Sequence, residues 1–266
     1  MTLRRLLVKL AGSARAQRWL QKNVERSHYL MGIGAGADVE ASGERSIFRF
    51  LKARFHPPYT VLDVGANQGQ FLNVVRGELS SVEFTLHCFE PSQAALENLR
   101  LEAGDDNRIA LNSFGLGREP GRAELYCDQP GSGLASMTKR RLDHVGIDLA
   151  FSEEIEIRTV DDYCREHNIN RVSLLKIDIE GHELDALAGA GELFHRNAID
   201  IVTFEFGGCN IDTRTYFQDF WYFFKNQKMD LFRITPSGYL FPLLDYHEID
   251  EQFRTVNFMA VRSTRE

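Results

Sequence analysis

Residues 61–71, VLDVGANQGQF, constrain this chain more than any other stretch. A short run rich in β-formers, 59–64, breaks at Gly65. It turns through Ala66-Asn67-Gln68-Gly69 and resumes at Gln70 with helical spacing. A continuous apolar run of that length reads as a buried parallel strand. Strand, glycine turn and helix together open a nucleotide-binding βαβ unit, with free N–H groups at the helix start facing the turn. Gly65 permits the tight turn, and Gly69 permits close approach to the helix start.

A second expected strand, 82–89, ends on Glu90-Pro91, and Glu90 lies 21 residues after Gly69. An acid at that strand tip is placed to accept two ribose hydroxyls, which suits an adenosine ligand. The turn is G-x-N-x-G, without the extra glycine that brings backbone against a pyrophosphate. Asp63 just before it is poor company for pyrophosphate and suits an ammonium group. The combination fits S-adenosylmethionine better than a nicotinamide cofactor. A nicotinamide oxidoreductase would also need a Tyr-x-x-x-Lys pair or its equivalent, which is not found.

Further strands are expected at 108–114, 123–127, 154–160, from 172 onward and at 199–206, with a closing antiparallel pair at 231–234 and 256–261. Helices are expected between them, at 92–103, 159–168, 184–190 and 217–225. Gly115 follows the third strand, where an α/β sheet presents backbone to an adenine ring. The stretch 172–183 ends in Lys176, Asp178, Glu180, His182 and Glu183, and alternation puts Lys176, Asp178 and Glu180 on one side. Such a cluster is expensive to bury without a purpose. Asp63, Glu90, Asp178 and Glu205 all stand at carboxyl ends of expected parallel strands, the edge where open α/β sheets bind ligands.

The chain of 266 residues suits one sizeable α/β domain with an extension, divided here as 1–58 and 59–266. Its four cysteines are widely spaced with no C-x-x-C, and no signal peptide or membrane span is read, so a cytoplasmic protein with reduced thiols is expected. Seven basic residues and one acid give residues 1–26 a charge of +6, so the remainder carries −13 of the overall −7. An acidic body argues against a nucleic-acid partner. The N-terminal apolar residues (Leu3, Leu6, Leu7, Leu10, Ala14, Leu20) recur at helical spacing over 3–24, with bases between them. Such a helix either packs on the body or makes peripheral contact with a membrane's inner face or a partner. Residues 29–44, with four glycines, read as a loop that closes over a cofactor or merely connects. Residues 129–144, with Lys139, Arg140 and Arg141, read as a mobile loop over the active face, its bases attracting an acidic acceptor or simply solvated. Oligomeric state is not legible.

Taken together, DVGANQGQF at 63–71, FEP at 89–91 and LLKIDIEGHELDAL at 174–187, with SGE at 42–44 and FEF at 204–206, resemble the FkbM family of S-adenosylmethionine-dependent methyltransferases. The resemblance runs from about residue 30 to 262. It implies a seven-stranded, mainly parallel class I methyltransferase sheet of order 3-2-1-4-5-7-6 with helices on both faces. It also implies S-adenosylmethionine held by Asp63, Gly65, Asn67, Gln68, Gly69, Glu90, Pro91, Gly115 and Asp178. The implied activity is O-methylation of a sugar or glycan hydroxyl. A non-sugar natural product, a nitrogen acceptor or a catalytically inactive docking protein are the alternatives. A hydroxyl must be aligned and lose its proton. Asp178, His182 and Glu205 are the candidates to take it. Alternatively, Asp178, Glu205 and Asn210 would give three oxygen ligands to Mg²⁺.

Overall fold

The computed structural model describes residues 2–36 and 42–263. The main sheet is built from β1 (Tyr59–Val64), β2 (Phe84–Phe89), β3 (Ile109–Asn112), β7 (Val172–Ile177), β8 (Ile199–Phe206), β9 (Met229–Ile234), β10 (Leu240–Leu243) and β11 (Val256–Arg262). Their spatial order is β10-β9-β11-β8-β7-β1-β2-β3. The first five in sequence pair in parallel, and β11 enters antiparallel between β8 and β9. This is the 3-2-1-4-5-7-6 order of a class I methyltransferase, with one addition. The eighth strand, β10, pairs antiparallel on the outer edge. Its Pro242 suits an edge, where a missing N–H costs no ladder bond.

The remaining strands, β4 (Gly115–Leu116), β5 (Gly121–Cys127) and β6 (Phe151–Arg158), form a separate three-stranded sheet, ordered β4-β6-β5. It is inserted between β3 and the helix that leads to β7. Its core is small: Leu125, Ile155 and Ile157, with Ala123, Ala135 and Met137 against them.

The helices are α1 (Leu3–Leu10), α2 (Ala14–Leu30), α3 (Arg45–Arg54), α4 (Gln70–Glu78), α5 (Gln93–Ala103), α6 (Val160–Glu166), α7 (Glu183–Ala188), α8 (Gly191–His195), α9 (Cys209–Thr213) and α10 (Phe217–Asn226). Alternation along the central strands sorts the core into two layers. Val61, Leu174, Ile201 and Met259 face a cluster with Phe48, Leu51, Phe71 and Leu96 of α3, α4 and α5. Leu62, Leu175, Val202 and Phe204 face Tyr163, Leu187, Phe220 and Phe224 of α6, α7 and α10. The abundant phenylalanines are spent here: Phe204 stacks on Phe220, Phe224 and Phe258.

The N-terminal region departs from a single helix over 3–24. Gly12 and Ser13 divide it, and Ser13 Oγ caps α2 by accepting from Ala16 N at 3.2 Å. No residue of α2 is buried, so packing on the body is not what holds it. The body is reached at Ile33, which is buried, and Gly34 N donates to Thr255 O at 2.8 Å. Residues 37–41, in the middle of the glycine-rich loop, lie outside the described residues. The far side of that loop is a tight turn at Ser42-Gly43-Glu44. Gly43 has φ +86°, and a Cβ there would meet Thr235 O at 2.1 Å, so only glycine passes.

Candidate active site

A cavity of about 730 Å³ opens at the carboxyl ends of β1, β2, β7 and β8. This is the edge where the strand order reverses. Gly65, the first residue of the turn after β1, has φ +82°, and a Cβ on it would lie 1.9 Å from Asp178 O. The turns that follow β1 and β7 are thus packed backbone to backbone, and Asp178 N donates to Val64 O at 3.0 Å.

One end of the cavity is organised by Glu90. Its Oε2 accepts from Asn67 N at 2.8 Å and its Oε1 from Ser92 N at 2.9 Å. Both contacts orient the carboxylate and leave each oxygen further acceptor capacity. Burial pushes Glu90 up to about 7, against those two backbone N–H groups. Asn67 adopts φ +47°, and its Oδ1 is buried with no hydrogen-bond partner among the described residues. Pro91 and Gly115 line the cavity beside Glu90, and Leu116, Leu125, Ile155 and Ile157 form an apolar wall.

The other end is acidic. Asp178, Glu180, Glu205 and Glu44 line it around Lys176. Lys176 sits opposite Asp63 in the β1–β7 register, with Nζ 3.2 Å from Asp63 Oδ1 and 3.5 Å from Asp178 Oδ2. Burial opposes the charge on Lys176, but Asp63, Asp178 and Glu44 outweigh it and its pKa is raised. Burial raises Asp63 as well, with Lys176 pulling the other way. Burial pushes Glu44 up to about 7, and Ser42 Oγ donates to its Oε2 at 2.7 Å. Glu205 is raised well above the ordinary carboxylate range, first by burial and then by the charges of Asp178, Glu180, Glu183 and Glu44. A small void of about 10 Å³, bounded by Glu44, Lys176, Asp178, Glu205 and Asn257, shows how closely these groups converge.

The stretch after β7 does not act as one face. Backbone at Glu180 (φ +52°) and Gly181 (φ +105°) turns the chain sharply. Glu183, fully buried, holds that turn by accepting from Ile179 N and Gly181 N. Glu180 pairs with Arg140, yet burial still pushes it up to about 8. Arg140 is thereby withdrawn from any surface cluster with Lys139 and Arg141, and its Nε lies 3.6 Å from Asp212. The 129–144 stretch is tied down rather than loose. Ser136 pairs with Tyr126 through backbone, Ser136 Oγ donates to Glu180 O at 2.8 Å, and Gln68 Nε2 donates to Gly131 O at 3.1 Å. Its residues Ser132 to Ala135 and Met137 roof the cavity.

The expected site residues divide accordingly. Gly65, Asn67, Glu90, Pro91, Gly115, Asp178 and Glu205 come together on the cavity. Asp63 does not face it; fully buried beneath Lys176, it serves as that lysine's counter-ion rather than as an ammonium receptor. Gly69 packs on Leu99 and Glu102 of α5, and Gln68 reaches the roof loop. His182 lies outside the lining, between Thr138 Oγ1 at 3.0 Å and Asp185 Oδ2 at 3.0 Å. Asn210 is buried and consumed: its Oδ1 accepts from Gly207 N at 2.8 Å and its Nδ2 donates to Thr215 Oγ1 at 2.7 Å. The trio Asp178, Glu205 and Asn210 therefore does not converge as a ligand set for Mg²⁺, and no His, Cys, Asp and Glu grouping fit for a metal occurs among the described residues. Sequence reasoning passed over Glu44 and Lys176 as site residues. The SGE turn was visible, but its approach to β7 is a tertiary contact.

Residues 63–231 match the family profile described as the Methyltransferase FkbM domain. Among curated relatives, the chain is 26% identical over 160 residues to "Methyltransferase 1" of Beauveria bassiana, covering 54% of this chain and 63% of that one. It is 25% identical over 152 residues to "2-O-methyltransferase NoeI" of Sinorhizobium fredii, covering 51% and 59%. The chain thus spans about three fifths of the length of these relatives. A methyltransferase FkbM structure from Methylobacillus flagellatus aligns with a TM-score of 0.47 and 17% identity, over 81% of this chain and 47% of that one.

Proposed function

The chain belongs to the FkbM methyltransferase family, and from that premise we propose that it is an S-adenosylmethionine-dependent O-methyltransferase whose acceptor is a hydroxyl of a sugar or glycan. The observation that carries the reading is the two-ended cavity. Glu90, held by two backbone N–H groups at one end, faces a set of carboxylates around Lys176 at the other.

Glu90 suits a ribose diol, the wall of Leu116, Leu125, Ile155 and Ile157 suits a purine, and unpartnered Asn67 Oδ1 suits a ligand donor. When bound, S-adenosylmethionine supplies the activated methyl group. The chain's own residues must then align the acceptor and remove its proton. Asp178 is the most open of the acids at that end, with its side chain 41% exposed. It is suited to accept a hydrogen bond from the acceptor hydroxyl and to take its proton. Glu205, raised well above the ordinary range by burial and by the carboxylates around it, lines the same end of the cavity as a second proton-holding group. A carboxylate-lined end also suits a polyol, whose hydroxyls are donors, and a relative's printed name, 2-O-methyltransferase NoeI, points to oxygen as the acceptor atom.

The test is calorimetry with S-adenosylmethionine and with NAD on the same protein. Binding of S-adenosylmethionine alone is expected, and Glu90→Ala should weaken it by about 1–3 kcal/mol, the usual loss for a charged hydrogen-bond partner. Binding of NAD instead, or unchanged affinity in Glu90→Ala, overturns the reading.

A further inference from the structure

The N-terminal helices carry a feature that methyl transfer does not use. Projected at about 100° per residue, α2 gathers Ala16, Trp19, Leu20, Val24 and Leu30 on one side. Arg15, Arg18, Lys22 and Arg26 form a contiguous arc along the flank of that stripe. None of these side chains is buried, and the large ones are open: Trp19 is 65% exposed, Val24 51% and Leu30 75%. In α1, Leu7 and Leu10 are equally open, opposite Arg5 and Lys9. The seven bases of residues 1–26 make no ion pair among the described residues, and Glu25 is the one acid among them.

We propose that α1 and α2 dock in the plane of an anionic lipid surface, apolar stripes inward and basic flank against the headgroups. Three observations select that occupant. The charge is complementary to anionic lipid, where bases beside an apolar stripe act together. A second copy of the chain is disfavoured, because pairing two such stripes would bring +6 against +6. Trp19 borders the bases, the depth at which an amphipathic indole settles between headgroup and acyl chain. The root of the arm also matters. Gly34 is bonded to Thr255, and Gly36 and Thr255 line the cavity, so a docked arm holds the cavity mouth beside the surface while the −13 body is repelled from it.

The experiment is flotation of the full chain with phosphatidylcholine vesicles, with and without phosphatidylglycerol. Binding is expected only with the anionic lipid, falling as salt is raised. The variant R15Q/R18Q/K22Q/R26Q and the variant L20E/V24E should each lose roughly tenfold or more in partitioning, while S-adenosylmethionine affinity and Tm stay at the wild-type value. In a Trp221→Phe background, Trp19 emission should shift to the blue on binding. The proposal is overturned if the full chain does not float with anionic vesicles, or if either variant floats as well as wild type. It is also overturned if L20E/V24E lowers Tm by several degrees, which would make the stripe a packing surface. A dimer in light scattering that L20E/V24E dissociates would assign the stripe to a protein contact instead.

Discussion

Replacing Lys176 by methionine keeps the length of the side chain and removes its charge. The ammonium is 3.2 Å from Asp63 Oδ1, and Asp63 is wholly inaccessible. At an effective dielectric near 20, a pair at that distance is worth about 5 kcal/mol of attraction, set against the desolvation of both ions. Losing the cation leaves the carboxylate buried with no opposite charge to offset Asp178, a like charge acting on it. Breaking a buried pair from one side costs about 3–5 kcal/mol, a large fraction of a typical 5–15 kcal/mol of stability. The reverse change, Asp63→Asn, should cost less, because Lys176 keeps Asp178 at 3.5 Å and Glu44 nearby. The double variant should be more stable than Lys176→Met alone, since no charge is then stranded. Urea unfolding without ligand, read as a shift in midpoint at constant m, measures all three. If the two single losses simply add within about 0.5 kcal/mol, the residues are not a unit and the reasoning fails.

Four other outcomes are expected. Asp178→Asn should lower turnover about 10²–10⁴-fold with cofactor affinity largely kept; turnover within a few-fold of wild type would remove Asp178 from the chemistry. His182→Ala, directed at Thr138 and Asp185 rather than the cavity, should leave turnover within a few-fold, and a larger loss would restore the histidine as a candidate base. Gly65→Ala combines φ +82° with a Cβ 1.9 Å from Asp178 O, so a loss of roughly 3 kcal/mol or more is expected, and a Tm near wild type would contradict the packed turn. Glu44, Glu90 and Glu183 are each raised to about 7, and Glu180 to about 8, above an ordinary 4.5. Groups raised in this way hold their protons more tightly when folded, so their stabilisation is complete below about 4.5 and is lost as pH rises through about 7–8. Tm of the ligand-free protein should therefore fall between about pH 6.5 and 8.5, above the range where buried His87, held down at about 4, has its effect. A flat or rising Tm across that window would refute it.

The strand, turn and helix at 59–78 were legible because apolar period and glycine placement are local properties. The same holds for Glu90 at the tip of β2 and for the antiparallel pair β9 and β11. What sequence could not show was partnership. Asp63 and Lys176 are 113 residues apart, and only the β1–β7 register makes them opposite. Asn210 and His182 carry suitable atoms for a ligand or a base, but residue type does not reveal that Gly207, Thr215, Thr138 and Asp185 already hold them. The edge strand β10 escaped because Phe241-Pro242 inside so short a run reads as a turn. The small sheet was only partly visible, since β4 is two residues long.

The unequal cores of the two sheets have a consequence for access. The cavity's floor belongs to a sheet whose central strands are buried on both faces, whereas most of its apolar wall, Leu125, Ile155 and Ile157, belongs to a cluster of only those three buried side chains. Free energies of local opening follow buried apolar contact. The wall and its roof loop therefore detach at a small fraction of the cost of global unfolding, once a few hydrogen bonds at Gln68 and Ser136 release. Ligand exchange becomes a breathing motion of one subdomain, and amide deuteration in β5 and β6 should run far ahead of that in β1 and β7.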